Sequence, residues 1–251
     1  MNTLFAVILF LSSVSKPDPD FHLYLLVGQS NMAGRGVITA EYQNSSQPNV
    51  LMLDKEGKWV TASHPLHFDK PARAGVGPGL AFGLEMAKAD PSVRIGLIPC
   101  AVGGTAIESW EPGAKDRVTE VYPYDDAVAR LRTGMKNGVI KGIIWHQGEA
   151  NSTPERSAGY LEKLGSLIGR LRQVAGDTSL PFVAGELGRY RDNYHLVNDQ
   201  LKQLPGKVKN TALASSEGLV HKGDKTHFDA ASATELGKRL AAKMIQLQKM
   251  K

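Results

Sequence analysis

Cysteine is almost absent. Cys100 is the single one in 251 residues, so no intrachain disulfide can staple the fold, and no cysteine near the N-terminus could carry a lipid. Also missing is an apolar run long enough to span a bilayer as a helix, so no stable membrane insertion is expected. The 30 Lys and Arg stand against 25 Asp and Glu. The cations are dispersed, with no basic run interleaved with aromatics, and nucleic acid is therefore not an expected partner. No segment is rich enough in Pro, Gly or Ser to divide the chain, and no internal repeat is present. His-Glu-x-x-His is lacking, and the pairs His64/His67 and His146/Glu149 read as core or surface residues, so no metal is expected. Gly-x-Ser-x-Gly is lacking as well: Met32 stands two residues after Ser30, which disfavours the nucleophile elbow of the α/β-hydrolases.

What is present is the material of one globular unit. Hydrophobic residues make up 42% and charged residues 22% of the chain, enough for a substantial core. Residues 1–15 ("MNTLFAVILFLSSVS") have the short apolar region and small residues of a signal peptide, though no Lys or Arg precedes that region. A secreted or periplasmic protein is the resulting expectation. Short buried runs read as strands at 23–27, 92–100, 139–146, 181–187 and 210–216, with a hairpin at 49–60. Helical spacing occupies 77–90, 125–135, 155–174, 193–204 and 231–248. Strands alternating with helices call for a mostly parallel sheet covered on both faces. The expected fold is a three-layer α/β/α sandwich, one domain from about residue 20 to 251.

In such sheets the site lies beyond the carboxyl ends of the strands, and the polar anomalies of this chain fall there. "LYLLVGQSNMAGRG" (23–36) carries Ser30 just past a buried run. "GDKTHFDA" (223–230) puts Asp224 and His227 three residues apart before the last helix. A hydroxyl nucleophile needs a base for its proton and an anion to steady the imidazolium, and these three supply that set. Gly103 and Gly104 offer backbone N–H groups to an oxyanion, and Gln147 offers a side-chain amide after the third buried strand. Each residue also has an ordinary reading, as helix cap, turn or loop hydrogen bond.

"GQSNMAG", "GPGLAFG", "VGGT…ESW", "WHQGEAN" and "DKTHFD", in this order, resemble the SGNH-hydrolase superfamily. More narrowly, they are similar to its sialate O-acetylesterase and acetylxylan esterase branch, carbohydrate esterase family six. The resemblance covers most of residues 22–246. It implies a flavodoxin-like sheet and removal of acetyl groups from a carbohydrate without metal or cofactor. It also implies Ser30 as nucleophile, His227 as base and Asp224 as its partner, with the N–H groups of Ser30 and Gly104 and the Gln147 amide as oxyanion hole. Gln29 replaces the superfamily's usual Asp, and its usual Asn is either replaced by Gln147 or displaced to Asn151, so the third donor stays open between these two. Glu149 is an alternative acid for His227, and Gln29, Asn31, Glu149 and Asn151 are candidate supporting residues. Trp110 is a candidate platform for a sugar ring. A non-catalytic carbohydrate-binding protein on the same fold is the rival reading, and the oligomeric state is not legible.

Overall fold

The structure is a computed structural model and describes residues 16–250; the expected signal peptide, 1–15, lies outside the described residues. In chain order the strands are β1 (Asp18–Gly28), β2 (Val50–Leu53), β3 (Trp59–Thr61), β4 (Arg94–Pro99), β5 (Gly138–His146), β6 (Phe182–Gly185) and β7 (Thr211–Ala214). The helices are α1 (Ser30–Ala33), α2 (Ala40–Gln43), α3 (Pro78–Ala89), α4 (Pro123–Gly134), α5 (Pro154–Ser157), α6 (Tyr160–Ala175), α7 (His195–Lys207) and α8 (Ala230–Lys249). The sheet runs β3-β2-β4-β1-β5-β6-β7, and all its pairings are parallel except β2 with β3, the expected hairpin.

The apolar runs follow from two-sided burial. Successive side chains of a strand point to opposite faces, and here both faces are covered. Leu23, Leu25 and Val27 of β1 join one core with α4, α6 and α7. Tyr24 and Leu26 join the other, with α3 and α8. The helices match this demand: Leu164, Leu167, Ile168 and Leu171 of α6, three and four residues apart, are all fully buried. Two boundaries differ from the sequence expectation. β1 begins at Asp18 because its early residues pair with Gly138 on β5. The helix expected over 155–174 is two, α5 and α6, broken at Gly159, whose φ of +71° is left-handed and cannot continue a helix.

β1 is the topological centre. Strands earlier in the sheet's winding, β2 and β4, lie on one side of it and β5, β6 and β7 on the other. The crevice at such a reversal is where open α/β sheets bind ligands.

Candidate active site

β1 delivers Ser30. At its end Gly28 has φ +134°, and a Cβ there would lie 2.1 Å from the His146 carbonyl oxygen. Only glycine lets β1 end this close to β5, and the N–H of Gln29 donates to that same oxygen at 2.9 Å. Ser30 is the first residue of α1, where backbone N–H groups have no partner within the helix.

His227 and Asp224 come from the loop between β7 and α8. Asp224 Oδ1 accepts the N–H groups of Thr226 and His227 at 2.9 and 2.8 Å, which folds the loop into a tight turn. Asp224 Oδ2 lies 2.7 Å from His227 Nδ1. His227 Nε2 lies 3.0 Å from Ser30 Oγ. Partial burial pushes the Asp224 carboxyl up. The N–H of His227, its ring and the N–H of Thr226 outweigh that and hold it well below the ordinary carboxylate range. A carboxylate facing Nδ1 keeps the ring proton there, leaving the Nε2 lone pair to accept the Ser30 hydroxyl proton.

Asn31 ties this loop to α1. Its Nδ2 donates to the Thr226 carbonyl and its Oδ1 accepts the Phe228 N–H, both at 3.0 Å, so it grips the chain on either side of His227. The same Nδ2 donates to Glu149 Oε1 at 2.5 Å. Glu149 is nearly buried, and Oε1 also lies 3.8 Å from His146 Nδ1. It makes no bond to His227; the carboxylate on that ring is Asp224.

The Gly103–Gly104 loop after β4 is braced from the segment before α3. Asp69 Oδ2 accepts the Gly103 N–H at 2.7 Å and pairs with Arg35 at 2.8 Å. Lys70 Nζ donates to the Gly103 carbonyl at 2.8 Å. His67, whose ring burial pushes down to about 3, is neutral and accepts the Ala101 N–H at Nδ1. Gly103 thus spends its N–H on Asp69. The N–H groups of Gly104 and Ser30 have no acceptor among the described residues. Asp69→Ala is expected to lower stability by about 3–5 kcal/mol, because it strands the Arg35 charge in a buried position. Urea unfolding of the two proteins measures this; a change inside about 0.5 kcal/mol, the range of ordinary surface substitutions, would mean that the loop is not held by that pair.

Three expected contacts are not made. Gln147 is fully buried, and its Nε2 faces Asn151 Oδ1 at 2.7 Å, the Thr105 carbonyl at 3.1 Å and Gln29 Oε1 at 3.2 Å. Its Oε1 accepts from the Tyr160 hydroxyl. The side chain points under the loop rather than into the cleft, because these partners consume its amide. Asn151, also fully buried, is no substitute: it accepts the Ile107 N–H and donates to Glu108. Trp110 has no exposed surface. It donates to Thr105 Oγ1 and packs edge-on against Trp145, so it is core rather than a sugar platform.

The cleft over Ser30 has a volume of about 800 Å³ and is rimmed by Arg73, Arg191, Lys70 and Lys222. Arg73 and Arg191 are exposed and have no carboxylate partner among the described residues. No exposed aromatic ring lines it; Tyr194 is there but buried.

The profile of the family described as carbohydrate esterase, sialic acid-specific acetylesterase, matches residues 20–246. The chain belongs to this carbohydrate esterase family. A probable carbohydrate esterase of Arabidopsis thaliana, At4g34215, is 32% identical over 250 residues, covering 91% of this chain and 92% of that protein. The X-ray structure of the Arabidopsis protein superposes with a TM-score of 0.80, over 91% of this chain and 99% of the other, at 30% identity. The crystal structure of NanS gives a TM-score of 0.75 at 16% identity, covering 94% and 100% of the two chains. That of XAC1771, a carbohydrate acetylesterase from Xanthomonas citri, gives 0.71 at 21% identity, covering 92% and 57%. At such identities the last two speak for the SGNH-type fold alone. The protein is thus a carboxylic ester hydrolase, and the esterase's strand-end cleft is the place to look for its chemistry.

Proposed function

We propose that this esterase removes O-acetyl groups from an acidic sugar through an acetyl-serine intermediate. The observation that carries the mechanism is the unbroken hydrogen-bond chain Asp224–His227–Ser30 at the cleft floor. Ser30 Oγ attacks the acetyl carbonyl carbon while His227 Nε2 takes the hydroxyl proton. The carbonyl oxygen becomes an oxyanion, for which the free N–H groups of Ser30 and Gly104 are available donors. As the intermediate collapses, the bond to the sugar oxygen breaks and His227 returns the proton to it. Water then repeats the cycle on acetyl-Ser30, with His227 as base, and acetate leaves.

The acidic sugar is supported by the rim. Neutral sugar rings commonly rest on aromatic faces, and this cleft exposes none, whereas Arg73 and Arg191 stand without a carboxylate partner. A planar guanidinium suits a sugar carboxylate. Acetate release from O-acetylated sialic acid, acetylated xylan and a neutral acetylated monosaccharide tests this reading. The carboxylate-bearing substrate is expected to lead. Arg73→Ala with Arg191→Ala should raise its KM by about 10-fold, equivalent to roughly 1.4 kcal/mol, and leave p-nitrophenyl acetate unaffected. Equal rates on acidic and neutral sugars in both proteins would remove charge from the specificity.

A further inference from the structure

The oxyanion hole has two backbone donors in place, and the side chain expected to complete it, Gln147, is turned away. We infer that the third donor is Gln29 Nε2, which Gln147, Asn151 and the Ala150 backbone hold in position. This rests on the serine-esterase reading above and adds a residue to it.

The orientation of each amide follows from its neighbours. Asn151 Oδ1 must be the oxygen, since it accepts the Ile107 N–H at 2.9 Å. The Gln147 atom facing it, and facing the Thr105 carbonyl, must then be the nitrogen. Gln29 in turn meets two donors, Gln147 Nε2 at 3.2 Å and the Ala150 N–H at 3.3 Å. Its oxygen is therefore directed at β5, away from the ligand. That leaves Gln29 Nε2, which has no acceptor among the described residues and yet is not sealed from solvent. The residue is 3% exposed and lines the cleft together with Ser30 and Gly104.

An amide donor this close to full burial, without an acceptor, is costly unless something brings the acceptor to it. The nascent oxyanion does so. When Ser30 Oγ forms its bond to the carbonyl carbon, the π electron pair moves onto the oxygen. A preorganised N–H beside the nucleophile then gains strength as that charge appears. Gln147 and Asn151 are positioning residues: Gln147 touches Gln29 Oε1 from below, Asn151 touches Gln147, and neither lines the cleft.

The test is Gln29→Glu, which keeps the shape and replaces the donor by an acceptor, with Gln29→Met as an apolar variant of similar length should the first fail to fold. Circular dichroism checks both. With p-nitrophenyl acetate, kcat is expected to fall by about 10²–10³-fold with KM little changed. The rate at which a phosphonate ester labels Ser30 should fall in parallel, because its phosphoryl oxygen uses the same donors. Gln147→Met should lose less, again in kcat rather than KM. Folded Gln29 variants within about threefold of the parent in both rates, far short of the loss of one donor, would overturn the inference. So would a larger loss from Gln147→Met than from Gln29→Met, which would return the donor role to Gln147. In either case Ser30-dependent hydrolysis by the parent protein leaves the esterase reading standing. If the parent shows no Ser30-dependent ester cleavage at all, that reading fails and the inference fails with it.

Discussion

Ser30→Ala is expected to lower kcat toward acetyl esters on the order of 10⁶-fold, the scale seen when a triad serine is removed. The reason is that no neighbouring group can take over the attack. His227 Nε2 would lose its only hydroxyl partner, and the nearest carboxylates are committed, Asp224 to the His227 ring and Glu149 to Asn31. Folding should be preserved, because Ser30 Oγ bonds nothing in the core and serves only the His227 ring. The two proteins are compared at saturating p-nitrophenyl acetate after their melting curves are shown to match. A drop of less than about 10²-fold, less than the loss of one oxyanion donor alone, would mean that another nucleophile does the chemistry.

Asp224→Asn carries the second large effect. An asparagine at this position can offer its N–H to Nδ1, which favours the ring tautomer with its proton on Nε2. That tautomer cannot accept from Ser30, and the expected fall in kcat is about 10⁴-fold with KM little changed. Glu149→Gln is the control. The amide oxygen it introduces can still accept from Asn31 Nδ2, so the grip on the His227 loop survives, and the loss should be near the lower end of the roughly 10–100-fold attached to supporting partners. Both variants are measured at saturating substrate. If Glu149→Gln were the more damaging, the acid that matters to His227 would be reached through Asn31 rather than through its own loop.

The parts of this structure that depend on local pattern were legible in the sequence. β1, β4 and β5 announce themselves as apolar runs because both their faces are buried. The closeness of Asp224 to His227 is written in their spacing. Ser30 stands out because a polar residue follows a strand that has just ended at glycine. The direction of a buried amide is not local. Gln147 turns under the loop because Thr105, 42 residues away, presents its carbonyl there, and Gln29, 118 residues away, presents an oxygen. Trp110 beside a glycine pair has the same residue type whether it faces solvent or Trp145. Asp69, which holds Gly103 from 34 residues away, carried no signal beyond being one carboxylate in a loop. Asn31 was visible as a candidate, but its double grip spans 195 and 197 residues. The break at Gly159 had a signal, the glycine itself, set against a helical pattern on both sides.

The central claim is an acetyl group carried by Ser30, and acid quenching during turnover tests it most directly. The esterase is mixed with an O-acetylated acidic sugar, or with p-nitrophenyl acetate, quenched within the first turnovers and mapped by peptide mass spectrometry. The account predicts acetylation on the peptide containing Ser30, absent in Ser30→Ala, with a burst of released alcohol that matches the enzyme present. An acetyl group on another residue, or steady hydrolysis with no burst and no acetylated peptide, would contradict it.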